Sequence, residues 1–138
     1  MSARNLVFNL LKDDPILNGL GINDESLFGS QTVDSPASRI TRWVFIRWGV
    51  SEAPLGRDTE TRPVPMSLWA YNRQRDFTPI DAILLRCRQL LLPLASTPCP
   101  GGGFFVQADY AFSSEDLYDD AYQAVMRGDT YRAIITKL

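Results

Sequence analysis

Residues 78 to 94 read TPIDAILLRCRQLLLPL, and the spacing of the apolar side chains in that stretch decides the fold. Ile80, Ile83, Leu84, Cys87, Leu90, Leu91 and Leu94 follow one another at steps of three and one, the pattern of a helix with a single oily stripe. Thr78 is expected as N-cap, Pro79 at a first helical position where no N–H is missed, and Asp81 where it favours the N-terminal dipole. Pro93 is the stop. Such a stripe needs a sheet face to cover, so strands are expected on both sides of it in the chain. Leu85 and Leu92 lie seven apart, outside the stripe. With Ala82 they make a second short apolar line, a candidate subunit contact.

Upstream, RWVFIRW (residues 42 to 48) is rich in aromatic and β-branched residues and ends at Gly49, which predicts a strand covered on both faces. Its partner is expected in residues 63 to 74, with Pro63 and Pro65 confining the start of that strand to a sheet edge. Between them, SEAPLGRDTETR (51 to 62) has no period and mixed charge, an exposed loop with Arg57 and Arg62 on it. Residues 2 to 12 read as a short amphipathic helix with Ser2 as its cap, broken by DDPILNGLGI. Residues 23 to 42 read as a long loop carrying one short extended piece. Downstream, FFVQADYAF (104 to 112) predicts a strand with Phe104, Val106, Ala108, Tyr110 and Phe112 on one face. Residues 130 to 136 predict the closing strand, after a bend at Gly128 and Asp129. The expected architecture is α+β: mainly antiparallel sheet packed by two main helices, one domain over residues 1 to 138.

The composition narrows the function classes. At 138 residues and 45% hydrophobic, the chain has material for one core. Fourteen basic against sixteen acidic residues give a net charge of −2, without the basic stripe of a dedicated nucleic-acid binder. There is no membrane-length apolar run and no signal-peptide pattern, so a soluble protein made in the cytoplasm is expected, with no membrane partner. With two cysteines and no histidine, the usual zinc sets and imidazole-dependent triads are ruled out. Cys87 and Cys99 are expected as free thiols.

SSEDLYDDAY, residues 113 to 122, packs Glu115, Asp116, Asp119 and Asp120 into a short space. An EF-hand counted from Asp109 would need glycine at its sixth position, where Ser114 stands, and a closing Glu at its twelfth. A solvated turn capping a strand end through Ser113, Ser114 and the aspartates is the plain reading. A contact with arginines of a neighbouring copy, such as Arg57 or Arg62, is another, and a small metal-dependent enzyme built on these carboxylates is a third. The glycines of PGGG lack the Lys-Ser/Thr of a phosphate loop. No catalytic residue, metal ligand or cofactor is assigned.

Four segments in order, DDPILNGLGI after the first helix, RWVFIRWG, RDFTPIDAILLRCRQLL and DLYDDAY with the later YRAI, resemble the tail terminator proteins of long-tailed phages, particularly those of actinobacteriophages. The stretch LFGSQTVDSPASRITR departs from that family's usual Pro-rich entry. The resemblance implies an α+β fold, no enzymatic activity and a homohexameric ring in the neck region of the virion tail. Such a ring caps the head-proximal end of the tail tube, stops polymerisation of the major tail tube protein and offers a surface to the head-to-tail connector. DNA passes through it without specific binding. Another neck protein, a head-to-tail stopper or a minor tail protein, would share these features. Arg57, Arg62, Leu85, Leu92, Glu115, Asp116, Asp119 and Asp120 are the candidate interface residues, each chosen from charge or exposed apolar character.

Overall fold

The structure, a computed structural model, describes residues 2 to 29, 36 to 56 and 60 to 136. Helix α1 (Ser2–Lys12) starts at Ser2 itself and buries Ala3, Val7 and Leu11. The chain does not simply break after it, because Pro15 opens a second short helix, α2 (Pro15–Gly19). Asp14 is its cap, accepting from the Leu17 amide at 3.0 Å, and Pro15 occupies a first-turn position that needs no N–H.

The strands are β1 (Leu27–Phe28), β2 (Arg42–Trp48), β3 (Thr61–Asn72), β4 (Thr97–Pro98), β5 (Phe104–Ser113), β6 (Leu117–Asp119) and β7 (Ala124–Thr136), with α3 (Phe77–Leu91) between β3 and β4. They form one sheet in the order β1-β2-β3-β7-β5-β4, with β6 also beside β7. Only β1 and β2 run parallel among these pairs. The architecture is α+β, as the pattern of strands and helices implied.

One face of the sheet carries α1 and α3. Val44, Ile46, Met66, Leu68, Tyr131 and Ile135 meet Val7, Leu11, Ile83 and Cys87 in a continuous core. The α3 stripe lands as spaced, with Ile80, Ile83, Leu84, Cys87 and Leu91 buried. The cap differs: Asp76, not Thr78, caps α3, its carboxylate accepting from the Thr78 amide at 3.0 Å. Asp76 can do this because its own backbone is extended, and Pro79 still falls within the first turn.

The opposite face is covered at one end by a separate aromatic cluster. Trp43 stacks on Tyr71 at 5.1 Å between ring centroids, Tyr122 lies against both, and Phe45 packs on Tyr71 and Tyr122. Arg73 holds the polar segment before β2 beside this cluster. Its guanidinium lies 4.8 Å from the Trp43 ring centroid and donates to the carbonyls of Pro36, Ala37 and Ile40.

Two strand expectations need correction, and one holds locally. β3 is interior where β2 and β7 flank it, but at its start, with Pro63 and Pro65, β7 is the one described strand beside it. They lie beyond the last β2 pair, Trp48 with Met66, where their carbonyls accept from Glu52 and Gly49 and no ladder donor is missed. In β5, Val106 and Ala111 are extra residues at register shifts, and each reverses the alternation. Ala108 and Tyr110 therefore face the helices while Phe104 and Phe112 point the other way and are exposed. Finally, β7 runs unbroken through Gly128 and Asp129, which make no bend. Gly128 is needed there because the Trp69 ring lies where a Cβ would be.

Candidate functional site

The acidic stretch is built into the sheet. Ser114 accepts the Gly128 amide at 3.0 Å, Ser113 donates to Asp129, and Asp119 accepts the Tyr122 amide at 2.9 Å. Its middle, β6, continues the β7 ladder where β5 leaves off. Arg127 bridges Asp81 of α3 at 2.6 Å and Asp116 at 3.6 Å, which ties this rim to the helix. Glu115 and Asp120 make no ion pair with the described residues, and both are exposed. No group of three potential metal ligands occurs among the described residues, and no described helix is long and apolar enough to cross a membrane.

Leu85 comes out 53% exposed on α3, four residues after Asp81 and three before Arg88, so it sits beside the acidic rim. Leu92, the C-cap of α3, is also exposed. Arg62 stands at the other end of the sheet, opposite Ile135, whereas Asp119 is opposite Ala124. An offset of eleven residue steps along β7 separates those points by roughly 36 Å. Within one chain, therefore, Arg62 and the acidic rim cannot meet. Arg57 lies outside the described residues.

Sequence reasoning missed a buried polar cluster. Asp129 is fully buried on the helix side, accepting from Arg88 at 3.0 Å and from Ser113. The Arg88 guanidinium lies 4.0 Å from the ring centroid of Tyr110, whose hydroxyl meets Ser113. A charge buried this way requires its partners. Nothing in the local sequence pairs Arg88 with a residue 41 positions away.

The titratable groups with shifted pKa values are moved away from neutrality. Burial pushes the Cys87 thiol up to about 12 and also raises Cys99, Tyr71 and Tyr131. Asp14 is held below its ordinary value, chiefly by its hydrogen bond from Arg86. A depression of about 350 Å³ beside Gly21, Ser26, Arg39 and Arg42 has its polar groups engaged. There Ser26 donates to Gly21, Arg39 pairs with Glu25 at 2.5 Å, and Arg42 donates to the Leu20 carbonyl. What the surface does offer is an uncovered rim, where Tyr110, Phe112, Leu117 and Tyr118 are exposed among the carboxylates of β5 and β6.

No family model matches the chain, and no curated protein matches it in sequence. Its fold is similar to that of a chain in a solved structure described as "Virion of native gene transfer agent (GTA) particle". The TM-score is 0.71 at 12% identity, and the match covers 98% of this chain and 95% of that one. At that identity the likeness is one of fold.

Proposed function

We propose that the protein is a structural component of a phage-like virion and, within it, the tail terminator. In this reading it sits as a hexameric ring on the head-proximal end of the tail tube, stops polymerisation of the tube protein and presents the surface that receives the head-to-tail connector. The observation that carries the proposal is the fold likeness to a virion chain over nearly the full length of both chains, with neither left with a large unmatched domain. The resemblance of four ordered sequence segments to tail terminators supports the finer assignment.

The chemistry of the chain agrees with a role in assembly. In the acidic rim Asp119 acts as a cap and Asp116 as an ion-pair partner, and the aromatic residues stay exposed instead of closing over a cavity. A net charge of −2 suits a ring through which DNA slides without being gripped at its phosphates. The protein acts by fitting its neighbours.

Gold-labelled antibody against the protein, applied to purified particles and viewed by electron microscopy, tests the location. Label at the junction of head and tail is expected. Label along the tail shaft or at the distal tip contradicts the assignment, and virions without label contradict the virion role itself.

A further inference from the structure

Asn72, buried at the end of β3, fixes the turn into α3: its side-chain carbonyl accepts the Gln74 amide at 3.1 Å, and its side-chain amide donates to the Asp76 carbonyl at 2.9 Å. The turn so held carries Arg73 and Arg75, the latter with φ at +59°. The turn before β7 holds Gln123 at φ +52°, with Asp119 accepting the Tyr122 amide and Tyr122 packed into the aromatic cluster. Between these two turns lies a depression of about 450 Å³, lined by Arg73, Arg75, Ala121, Tyr122 and Gln123. Of the three non-glycine residues with positive φ among the described residues, Arg75, Ser96 and Gln123, two therefore line one hollow. Left-handed backbone is sparsely populated by such residues and gathers where a chain holds a ligand.

Neither arginine makes an ion pair with a described residue. Arg73 donates from Nη1 to the carbonyls of Ala37 and Ile40 and from Nη2 to that of Pro36, while its Nε donates to no described residue. Arg75 meets the Tyr118 hydroxyl at 3.3 Å and lies 5.3 Å from the centroid of that ring. Both guanidiniums are thus satisfied by neutral groups, and the planar edge of a guanidinium matches a carboxylate with two parallel hydrogen bonds. Asp119 and Asp120 stand just before the hollow in the chain, the first engaged with the Tyr122 amide. Two arginines with those carboxylates nearby suit a ligand of one negative charge better than a multiply charged phosphate.

We propose that this hollow is a binding site for a single carboxylate group, held by Arg73 and Arg75. An acidic side chain and a chain terminus of a partner protein share this chemistry. The site goes beyond the assembly role above and stands whether or not the chain ends tail growth. Asn72 on one wall and Asp119 on the other hold the turns in place before the ligand arrives, so little ordering is left to do on binding.

Titration of the full chain, followed by proton–nitrogen NMR at pH 7 and constant ionic strength, tests this with four probes. Acetyl-aspartate amide carries a side-chain carboxylate and acetylglycine that of a chain terminus; inorganic phosphate and chloride are the comparisons. At least one of the two carboxylates is expected to bind saturably, with a Kd on the order of 1–10 mM, shifting the Nε–H signals of Arg73 and Arg75 and the amides of residues 121 to 123. The tighter of the two names the source. Arg75→Gln, at an exposed side chain that touches Tyr118, should raise that Kd by about fivefold or more with the rest of the spectrum unchanged. Arg73→Lys keeps the charge but loses the planar fork, and should weaken binding as well. Shifts that do not saturate, or that chloride reproduces, overturn the site. Phosphate binding more tightly than both carboxylates overturns the ligand class, and Arg75→Gln binding as wild type does overturns the pairing of the two arginines.

Discussion

Gly128 of β7 lies directly under the indole of Trp69 in β3: a Cβ at position 128 would stand 2.6 Å from two ring carbons. The two residues are paired across the ladder, and the glycine provides the room into which the ring settles on the aromatic face.

Gly128→Ala should therefore destabilise by roughly 1–3 kcal/mol, the usual range for overpacking. Combining it with Trp69→Leu should cost less than the sum of the two single changes, since the clash disappears with the ring. Urea denaturation of the four proteins reads the coupling directly. Strict additivity would mean that the ring moves aside freely.

Asp14 caps α2 and pairs with Arg86 of α3 at 2.7 Å, joining two helices through a buried carboxylate. Its pKa is lowered in the folded state, first by the Arg86 hydrogen bond, with burial opposing and the Leu17 amide assisting. The stabilisation is thus fully present above the unfolded value of about 4 and is lost as pH falls through the lower folded value. Asp14→Asn keeps a capping side chain and removes the charge. It should lower stability by about 3 kcal/mol at pH 7, since Arg86 keeps 24% of its side chain exposed, and should flatten the decline below pH 4. Thermal unfolding across pH 2 to 7 compares the two.

Leu84→Ala should cost about 2–5 kcal/mol, because the side chain is buried between α3 and the sheet. Leu85→Ala should cost under about 1 kcal/mol in the monomer, because that side chain is exposed. Equal losses would contradict the orientation of α3.

Cys87 should resist alkylation in the folded protein. Its thiol is pushed up to about 12, by burial first and then by the charges of Asp129 and Asp14, and the thiolate is the reacting form. Mass spectrometry after iodoacetamide at pH 8 should show position 87 unmodified until denaturant is added. Rapid native labelling there would contradict the packing of α3.

Local periodicity made much of this fold legible. RWVFIRW is β2 to the residue, and the α3 stripe is buried as its spacing requires. What escaped were features set by partners distant in sequence. Gly128 followed by Asp129 has the local chemistry of a turn, yet Trp69 fixes the first in a strand and Arg88 with Ser113 satisfies the second. The bulges at Val106 and Ala111 leave no signature in an apolar run, so Phe112 read as sharing a face with Ala108 and Tyr110 and lies on the other. Asp14 looked like part of a helix break because its partner, Arg86, is 72 positions away. Of the candidate surface residues, Leu85 could be read from its position off the stripe, and the acidic residues from their density. That Arg62 lies at the far end of β3 from them depended on strand register, which pattern alone does not supply.

The central claim, that this chain ends tail growth, is tested most directly by the length of tails made without it. A stop codon placed early in the gene, with the lysate scored by negative-stain electron microscopy, should give DNA-filled heads beside unattached tails of abnormal or overextended length, corrected when the intact gene is supplied in trans. Tails of normal length, whether attached to heads or free, would contradict the account.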